Sequence, residues 1–205
     1  MRKTILIFSA LLTCLGALAD TKSDELLRSL QNKVEALGSY RAVFRVTVDG
    51  QSLEGTYEVS GNSYHIATPD VEMLCDGQTR WEVNLLDREV LIDEINPADR
   101  TILGNPTRMF DFLDGSYAHS YKGRATLKTG EADRIELIQN AGNEQDKLTV
   151  YLNVSSRLPA RIVYRLGSLN TDATVDIESI EPVRLPEPYE FEPSRYEGFE
   201  VIDFR

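Results

Sequence analysis

The sequence predicts a mainly β protein: one long antiparallel sheet that curls, with a helix at its start and a second helical segment in its middle. Two observations predict this class. Short stretches with period-two alternation follow one another from residue 41 onward, and turn residues separate them at the spacing typical of sandwiches and barrels. Apolar residues at helical spacing precede them. About eleven strands are expected, and a sheet of that size must curl or split.

The first nineteen residues have the pattern of a bacterial export signal. Arg2 and Lys3 precede an uncharged apolar run, and Ala17-Leu18-Ala19 gives the small-x-small cleavage pattern. The run is too short to span a bilayer comfortably. We therefore expect a signal peptide over 1–19, one mature domain over 20–205, and a periplasmic location. Cleavage before Cys14 in Leu11-Leu12-Thr13-Cys14, with lipid attachment there, is a less favoured alternative.

The leading helix is predicted from its caps and its apolar stripe. Ser23 is a candidate N-cap, Asp24 and Glu25 fall in the first turn, and Gly38 is a natural end. The stripe consists of Leu26, Leu27, Leu30, Val34 and Leu37. This helix should pack one side onto an apolar surface.

The first group of strands is predicted from alternation and turns. Asp49-Gly50 is a strong hairpin signal, and Gly61-Asn62 and Asp76-Gly77 mark further turns. The apolar sets that alternate between these turns include Phe44, Val46, Tyr57, Tyr64, Ile66, Met73, Trp81, Val83, Val90 and Ile92.

The pattern changes between Pro97 and Tyr117, where a helical segment is expected. Met109, Phe110, Phe112 and Leu113 cluster on and around one face of it. Alternating strands then resume and continue to Ile177, and the proline-rich stretch from Pro182 to Pro193 reads as an extended edge or loop.

Composition and motifs favour no catalytic chemistry. His65 and His119 are the only histidines, and their spacing to cysteine predicts no zinc site; we expect a surface or satisfied polar role for both. No phosphate-binding glycine loop or nucleophile elbow is present, and no cofactor is predicted. The net charge of −11 should repel nucleic acid and anionic headgroups. Cys75 follows the signal as a lone thiol, expected to be buried.

Five segments in order along the mature chain resemble the LolA family of periplasmic lipoprotein carriers. They are Leu37-Gly38-Ser39-Tyr40-Arg41-Ala42-Val43-Phe44, Glu54-Gly55-Thr56-Tyr57, Asp76-Gly77-Gln78-Thr79-Arg80-Trp81, Leu103-Gly104-Asn105-Pro106, and Tyr189-Glu190-Phe191-Glu192-Pro193 with Val201 after it. The third is similar to the family's Asp-Gly-Lys-Thr-x-Trp hairpin, and the last to its Phe-x-Phe-x-Pro terminal strand. One departure is that Val59-Ser60-Gly61-Asn62 lacks the family's lid-locking Arg before Pro-Asn.

The resemblance implies a single-domain incomplete antiparallel barrel with a helical lid and an apolar interior. It also implies a carrier that takes acylated lipoprotein from an inner-membrane ATP-driven transporter to an outer-membrane receptor, as a monomer and without enzymatic activity. The alternative with the same fold is a lipid-sensing regulatory or interaction protein of the periplasm.

Candidate site residues follow from these patterns. The hypothesised lipid cavity is lined by Phe44, Val46, Tyr57, Tyr64, Ile66, Trp81, Val83 and Ile92, and closed by lid residues Met109, Phe110, Phe112 and Leu113. The other interpretation is that these side chains fill a solid core.

Overall fold

The computed structural model describes residues 21–96, 107, 110–140, 147–166, 171–185, 189 and 191–205. Within them, residues 21–37 form an α-helix, α1, and the rest is mainly strand. The strands are, in chain order, β1 (Tyr40–Val48), β2 (Gln51–Ser60), β3 (Ser63–Ala67), β4 (Val71–Cys75), β5 (Thr79–Asn84), β6 (Glu89–Glu94), β7 (Tyr117–Leu127), β8 (Gly130–Gln139), β9 (Lys147–Asn153), β10 (Pro159–Leu166), β11 (Thr171–Pro182) and β12 (Glu200–Asp203).

The predicted fold class is confirmed: the chain is mainly β, with an N-terminal helix and open, largely antiparallel strand pairing. The described residues contain twelve strands where about eleven were expected. The chain forms two compact units, the first of Met1–Lys33 and Phe112–Asp172, the second of Val34–Asp111 and Ala173–Arg205. No helix in the described part of the chain is long and apolar enough to cross a bilayer.

In the first unit, the strands run in the antiparallel order β10-β9-β8-β7. Ile135 of β8 lies opposite Val150 of β9, which lies opposite Ile162 of β10, so period-two alternation places all three on one face. All three are fully buried, as are Leu26, Leu27 and Leu30 of α1. These apolar side chains form the core of the unit.

Ser23 links the helix to β7 instead of capping it, which corrects the predicted N-cap. The chain is already helical at Thr21, so Ser23 lies within the helix. Its Oγ is 2.9 Å from Nδ1 of His119, and Oδ1 of Asp24 is 3.4 Å from the Nε2 of the same ring. His119 therefore has the satisfied polar role that was expected of it. The helix ends as predicted at Gly38, whose φ is +66°.

In the second unit, the strand order is β12-β6-β5-β4-β3-β2-β1-β11. Asp49 and Gly50 both have positive φ, as a type I′ turn requires, and they connect β1 to β2 in the predicted hairpin. The terminal strand is β12, which pairs parallel to β6. Tyr189, Phe191 and Glu192 lie outside any strand, so the terminal strand begins later than the resemblance implied.

Of the predicted central helical segment, the described residues show a 3-10 helical conformation at residue 107 and no helix over 110–116. Residues 97–106, 108 and 109 lie outside the described residues; residues 110–116 form turns and irregular backbone, and β7 begins at Tyr117. Gly115 has φ +87°, and Oδ1 of Asp114 accepts a hydrogen bond from the Ser116 N–H at 2.8 Å. This local turn competes with helical hydrogen bonding and ends any helix before it.

Candidate functional site

The register of β1 to β4 assembles one apolar face from residues far apart in sequence. Tyr57 lies opposite Ala42 on β1 and Ile66 on β3, and Ile66 lies opposite Met73 on β4. Residues directly opposite in an antiparallel pair point to the same side. The tyrosine face, as we call it, consists of Tyr40, Phe44, Val46, Tyr57, Tyr64, Ile66 and Met73.

Three tyrosines form the buried end of the tyrosine face. The Tyr40 and Tyr57 rings meet edge to face at 6.2 Å, and the Tyr57 and Tyr64 ring centroids are 6.5 Å apart. The Tyr64 hydroxyl donates to the Met73 sulfur at 3.8 Å. Burial raises the pKa of all three phenols well above the ordinary value. This end of the face is packed core.

The other end of the tyrosine face is partly open to solvent. Phe44, Val46 and Ile66 are half-buried, and Leu53, opposite Val46, is 43% exposed. Phe44 covers Gly55: a Cβ built on that glycine would lie 2.6 Å from the Phe44 Cζ. An adaptable apolar surface therefore continues from the tyrosine core towards the β1–β2 hairpin.

The opposite side of the same strands is polar and ion-paired. Arg41 pairs with Glu58, and the Arg45 guanidinium lies 2.5 Å from Glu54 and 3.0 Å from Glu178. Cross-strand pairs of this kind belong to a solvated face. The contrast identifies the tyrosine face as the apolar side of β1, β2 and β3.

The structure does not bring the eight predicted cavity residues together on one face. Phe44, Val46, Tyr57, Tyr64 and Ile66 share the tyrosine face. The remaining three, Trp81, Val83 and Ile92, lie on the opposite face.

The register explains this separation. Trp81 lies opposite Leu74, and Leu74 lies opposite His65 on the polar side. Strand β4 has buried apolar side chains on both sides, Leu74 on one and Cys75 on the other. In β5 and β6, the next strands in the sheet, the buried apolar side chains lie on the side of Leu74. Cys75 is buried, as expected for the lone thiol.

Trp81, Val83 and Ile92 belong to a cluster that the C-terminal segment covers. Phe191 stacks on Trp81 at 5.5 Å with 6° between the rings, and Tyr196 stacks on Phe191 at 5.2 Å with 3° between them. Val83 and Val90 beneath are fully buried. We call this cluster the covered face; it consists of Leu74, Trp81, Val83, Val90, Ile92, Phe191 and Tyr196. Sequence reasoning missed this cover, although aromatic residues recur through the last part of the chain.

His65 marks the boundary between the ion-paired side and the covered face. Its Nδ1 is 3.8 Å from a Glu58 oxygen and its Nε2 is 3.6 Å from a Glu72 oxygen. The Tyr189 hydroxyl donates to Glu58 and the Tyr196 hydroxyl donates to Glu72, each at 2.7 Å.

The environment of His65 differs from the satisfied role expected of it. Its Nε2 is buried and makes no hydrogen bond within the described residues. Burial, together with the bond to Glu72, raises the pKa of Tyr196 to about 12.

Two of the four lid residues are buried. Phe110 and Phe112 are 6% and 2% exposed, Leu113 is half-buried, and Met109 lies outside the described residues. The Phe112 ring meets the Tyr117 ring edge to face at 6.1 Å. Their contact with a ligand stays a prediction.

The described residues contain no group of three or more His, Cys, Asp or Glu side chains placed to hold a metal ion.

No protein-family model and no curated protein matches the chain. Among solved structures, it is similar to an uncharacterized conserved protein from Thermus thermophilus, with a TM-score of 0.60, 11% identity, and coverage of 89% of this chain and 99% of that one. A DUF1329 family protein from Desulfovibrio piger matches with a TM-score of 0.48 and 12% identity, over 87% of this chain and 99% of that chain. A LolA superfamily protein from Nitrosomonas europaea matches with a TM-score of 0.40 and 11% identity, over 80% of this chain and 94% of that chain. At an identity this low, the similarity to the Thermus protein shows a shared fold only.

Proposed function

We propose that this chain is a periplasmic carrier that binds the acyl chains of lipoproteins on its tyrosine face and transfers them from the inner to the outer membrane. The observation that carries the proposal is an apolar surface in the second unit whose side chains become more exposed to solvent from one end to the other. It runs from the buried Tyr57 to the half-buried Phe44 and Val46 and the exposed Leu53. The ordered resemblance of five sequence segments to the LolA family supports the same assignment.

The physical requirement of such a task fits this surface. Each acyl methylene exposed to water costs ~0.8 kcal/mol, so a chain in transit needs a continuous apolar surface. Phe44, Val46 and Ile66 are half-buried, so they have solvent-accessible surface left to give to a ligand. Met73, at the inner end, has a flexible side chain that adapts to varied apolar partners.

The proposed cycle makes and breaks no covalent bond, so the proposal assigns no catalytic residue and no cofactor. An inner-membrane ATP-driven transporter would load the acylated cargo, and an outer-membrane receptor would accept it. Phe110, Phe112, Leu113 and Met109 are proposed to contact the cargo when it is bound.

The test compares two acidic substitutions one residue apart on β1. Val46→Asp places a carboxylate on the tyrosine face, while the matched control Thr47→Asp places it on the ion-paired side. Binding of a fluorescent triacylated lipopeptide should weaken at least tenfold in Val46→Asp, because desolvating a carboxylate opposes hydrocarbon burial. Thr47→Asp should bind like the wild type, and circular dichroism should show both variants folded.

Native mass spectrometry of protein purified from the periplasm provides the second measurement. We expect a bound acylated species that mild organic extraction removes. Equal affinity of both variants, or no uptake of lipopeptide by the wild-type chain, would refute the proposal. Lipopeptide binding without delivery to an acceptor membrane, together with co-purification of an inner-membrane regulator, would favour the regulatory alternative.

A further inference from the structure

Both ring nitrogens of His65 face a carboxylate oxygen. Nδ1 lies 3.8 Å from Oε2 of Glu58 on β2, and Nε2 lies 3.6 Å from Oε2 of Glu72 on β4. Both distances are just beyond hydrogen-bonding range. His65 lies directly opposite Glu58 on one side and Leu74 on the other, and Trp81 of β5 lies opposite Leu74. The strand register therefore holds the ring between two carboxylates, at the margin of the covered face.

The same two carboxylate oxygens hold the C-terminal segment on the sheet. Oε2 of Glu58 accepts a hydrogen bond from the Tyr189 hydroxyl, and Oε2 of Glu72 accepts one from the Tyr196 hydroxyl, each at 2.7 Å. The Tyr189 ring also lies 5.8 Å from the His65 ring. We call His65, Glu58, Glu72, Tyr189 and Tyr196 the histidine clasp. A change in the charge of His65 therefore acts directly on two anchors of the segment.

A neutral ring fits the histidine clasp poorly. Neutral imidazole has one N–H and one lone pair, whereas an ionised carboxylate can only accept hydrogen bonds. The Nε2 atom of His65 is buried and has no hydrogen-bond partner among the residues that the structure describes. Water can satisfy this nitrogen when the segment is released, so covering it unpaired costs free energy. A protonated ring has a donor on each nitrogen and matches both carboxylates.

Glu58 is ionised over the pH range in which histidine titrates. Burial raises the pKa of Glu58, but hydrogen bonds from Tyr189 and Arg41 together outweigh burial, so this pKa lies below its usual value. Arg41, on β1, pairs with the other oxygen of this carboxylate. Oε2 of Glu58 thus stays an anionic acceptor that faces His65.

The segment itself brings two exposed charges close to the histidine clasp. Arg195 lies 3.8 Å from Glu72 and opposes a positive ring, but its side chain is 52% exposed, so solvent screens it. Glu192 is exposed on the same segment and has the opposite sign. The His65 side chain keeps 21% of its surface in solvent, so protonation does not require complete desolvation of the charge. The two carboxylates are therefore the dominant influence on the ring.

We propose that the histidine clasp is a proton-sensitive fastening: protonation of His65 tightens the C-terminal segment over the covered face, and loss of the proton loosens it. The docked segment favours the protonated ring, so its added stability is present below the pH range in which histidine titrates and is lost as the pH rises through that range. The neutral form holds the segment through phenol hydrogen bonds and ring stacking alone. The fully buried Val83 and Val90 beneath it are then uncovered more often.

Hydrogen–deuterium exchange of the peptide that contains Tyr196 and Phe199 measures opening of the segment. The wild type and His65→Gln are compared with each other at about pH 5 and again at about pH 8, so that the pH dependence of intrinsic exchange cancels. At the lower pH the wild type should exchange about tenfold more slowly than His65→Gln, the factor that one charge-assisted hydrogen bond provides. At the higher pH the two rates should be nearly equal. A merely structural role would give the same ratio at both.

Two further variants assign the effect to the clasp. The chain has two histidines, and His119 lies in the first unit, so His119→Gln is the matched control and should keep the wild-type pH dependence of this peptide. Glu72→Gln keeps an acceptor for Tyr196 but removes the negative charge that faces Nε2 of His65. It should remove most of the difference between the two pH values. Circular dichroism establishes that each variant is folded.

Three outcomes would overturn the inference: equal exchange ratios at both pH values, more ready opening of the wild type at the lower pH, or loss of the effect in His119→Gln. The clasp does not depend on acyl binding. Val46→Asp, on the tyrosine face, should therefore keep the wild-type pH dependence of the segment. Failure of the clasp and failure of the carrier proposal are thus distinguishable.

Discussion

At the scale of single residues, Gly55 fixes how the tyrosine face is built. It lies in β2 directly opposite Phe44, whose ring occupies the space that a side chain would need. A Cβ at this position would lie 2.6 Å from the Phe44 Cζ and 2.8 Å from the Ala67 carbonyl oxygen. The ring can rotate away, but the backbone oxygen belongs to a paired strand.

We therefore predict that Gly55→Ala destabilises the protein by about 1–3 kcal/mol through overpacking. Equilibrium urea unfolding should show the shift in midpoint. Gln51→Ala on the same strand, at an exposed position, serves as the control and should change stability by less than about 0.5 kcal/mol. An unchanged midpoint for Gly55→Ala would mean that β2 and β3 move apart freely and that Phe44 is loosely held.

At the scale of elements, the C-terminal segment is held on the sheet by aromatic stacking and by two tyrosine–carboxylate hydrogen bonds. Tyr196 combines both: it stacks on Phe191, contacts Phe199 edge to face, and donates to Glu72. The chain has one tryptophan, Trp81, and it lies directly beneath Phe191. Its fluorescence is therefore sensitive to whether this segment covers it.

Tyr196→Ala should loosen the segment and shift the Trp81 emission to longer wavelength, with a loss of stability of about 3–5 kcal/mol, as for other large aromatic truncations. Tyr196→Phe keeps the stack and removes the hydroxyl. It should leave the emission unchanged and cost about 1–3 kcal/mol, because Glu72 loses a charged hydrogen bond. Identical emission from Tyr196→Ala and the wild type would show that Trp81 is shielded without this ring.

The same elements show how far sequence reasoning reached. Alternation predicted which residues share a side within one strand, and the hairpin predicted at Asp49-Gly50 is present, with Val46 of β1 opposite Leu53 of β2. Alternation has the same period for either side of a sheet, so it could not show that the apolar side changes at β4. Trp81 and Tyr57 were therefore both assigned to the lining of the predicted lipid cavity, although they lie on opposite faces of the sheet.

The sequence pattern also could not predict that the C-terminal segment covers Trp81, for a different reason. Phe191 and Tyr196 lie in irregular backbone and a short 3-10 turn, where neither period two nor period 3.6 applies. Their positions depend on long-range contacts with Trp81 and Glu72. The helical spacing around Phe110, Phe112 and Leu113 does not produce a helix over 110–116, where the Asp114–Ser116 turn makes a competing local hydrogen bond.

At the scale of the whole molecule, buried phenols make stability dependent on alkaline pH. Seven of the nine tyrosines have a raised pKa, with burial as the largest cause in each. A folded-state pKa above the unfolded value of about 10 stabilises the fold below pH ~10. That stability is lost as the pH rises towards the folded value, because the unfolded chain releases protons that the folded chain retains.

Above pH ~10, each fully buried tyrosine should reduce the free energy of unfolding by up to about 1.4 kcal/mol per pH unit. Tyr40, Tyr57 and Tyr64 together would lower it by ~4 kcal/mol per unit, against the ~5–15 kcal/mol typical of a folded protein. We therefore predict a cooperative alkaline unfolding in which phenolate absorbance rises together with loss of the β-sheet circular dichroism signal. Tyr64→Phe, which keeps the ring, should lessen the slope of stability against pH. Titration of all phenols near pH ~10 with the sheet signal intact would show instead that water reaches the tyrosine face along its whole length, as an open lipid-binding groove would allow.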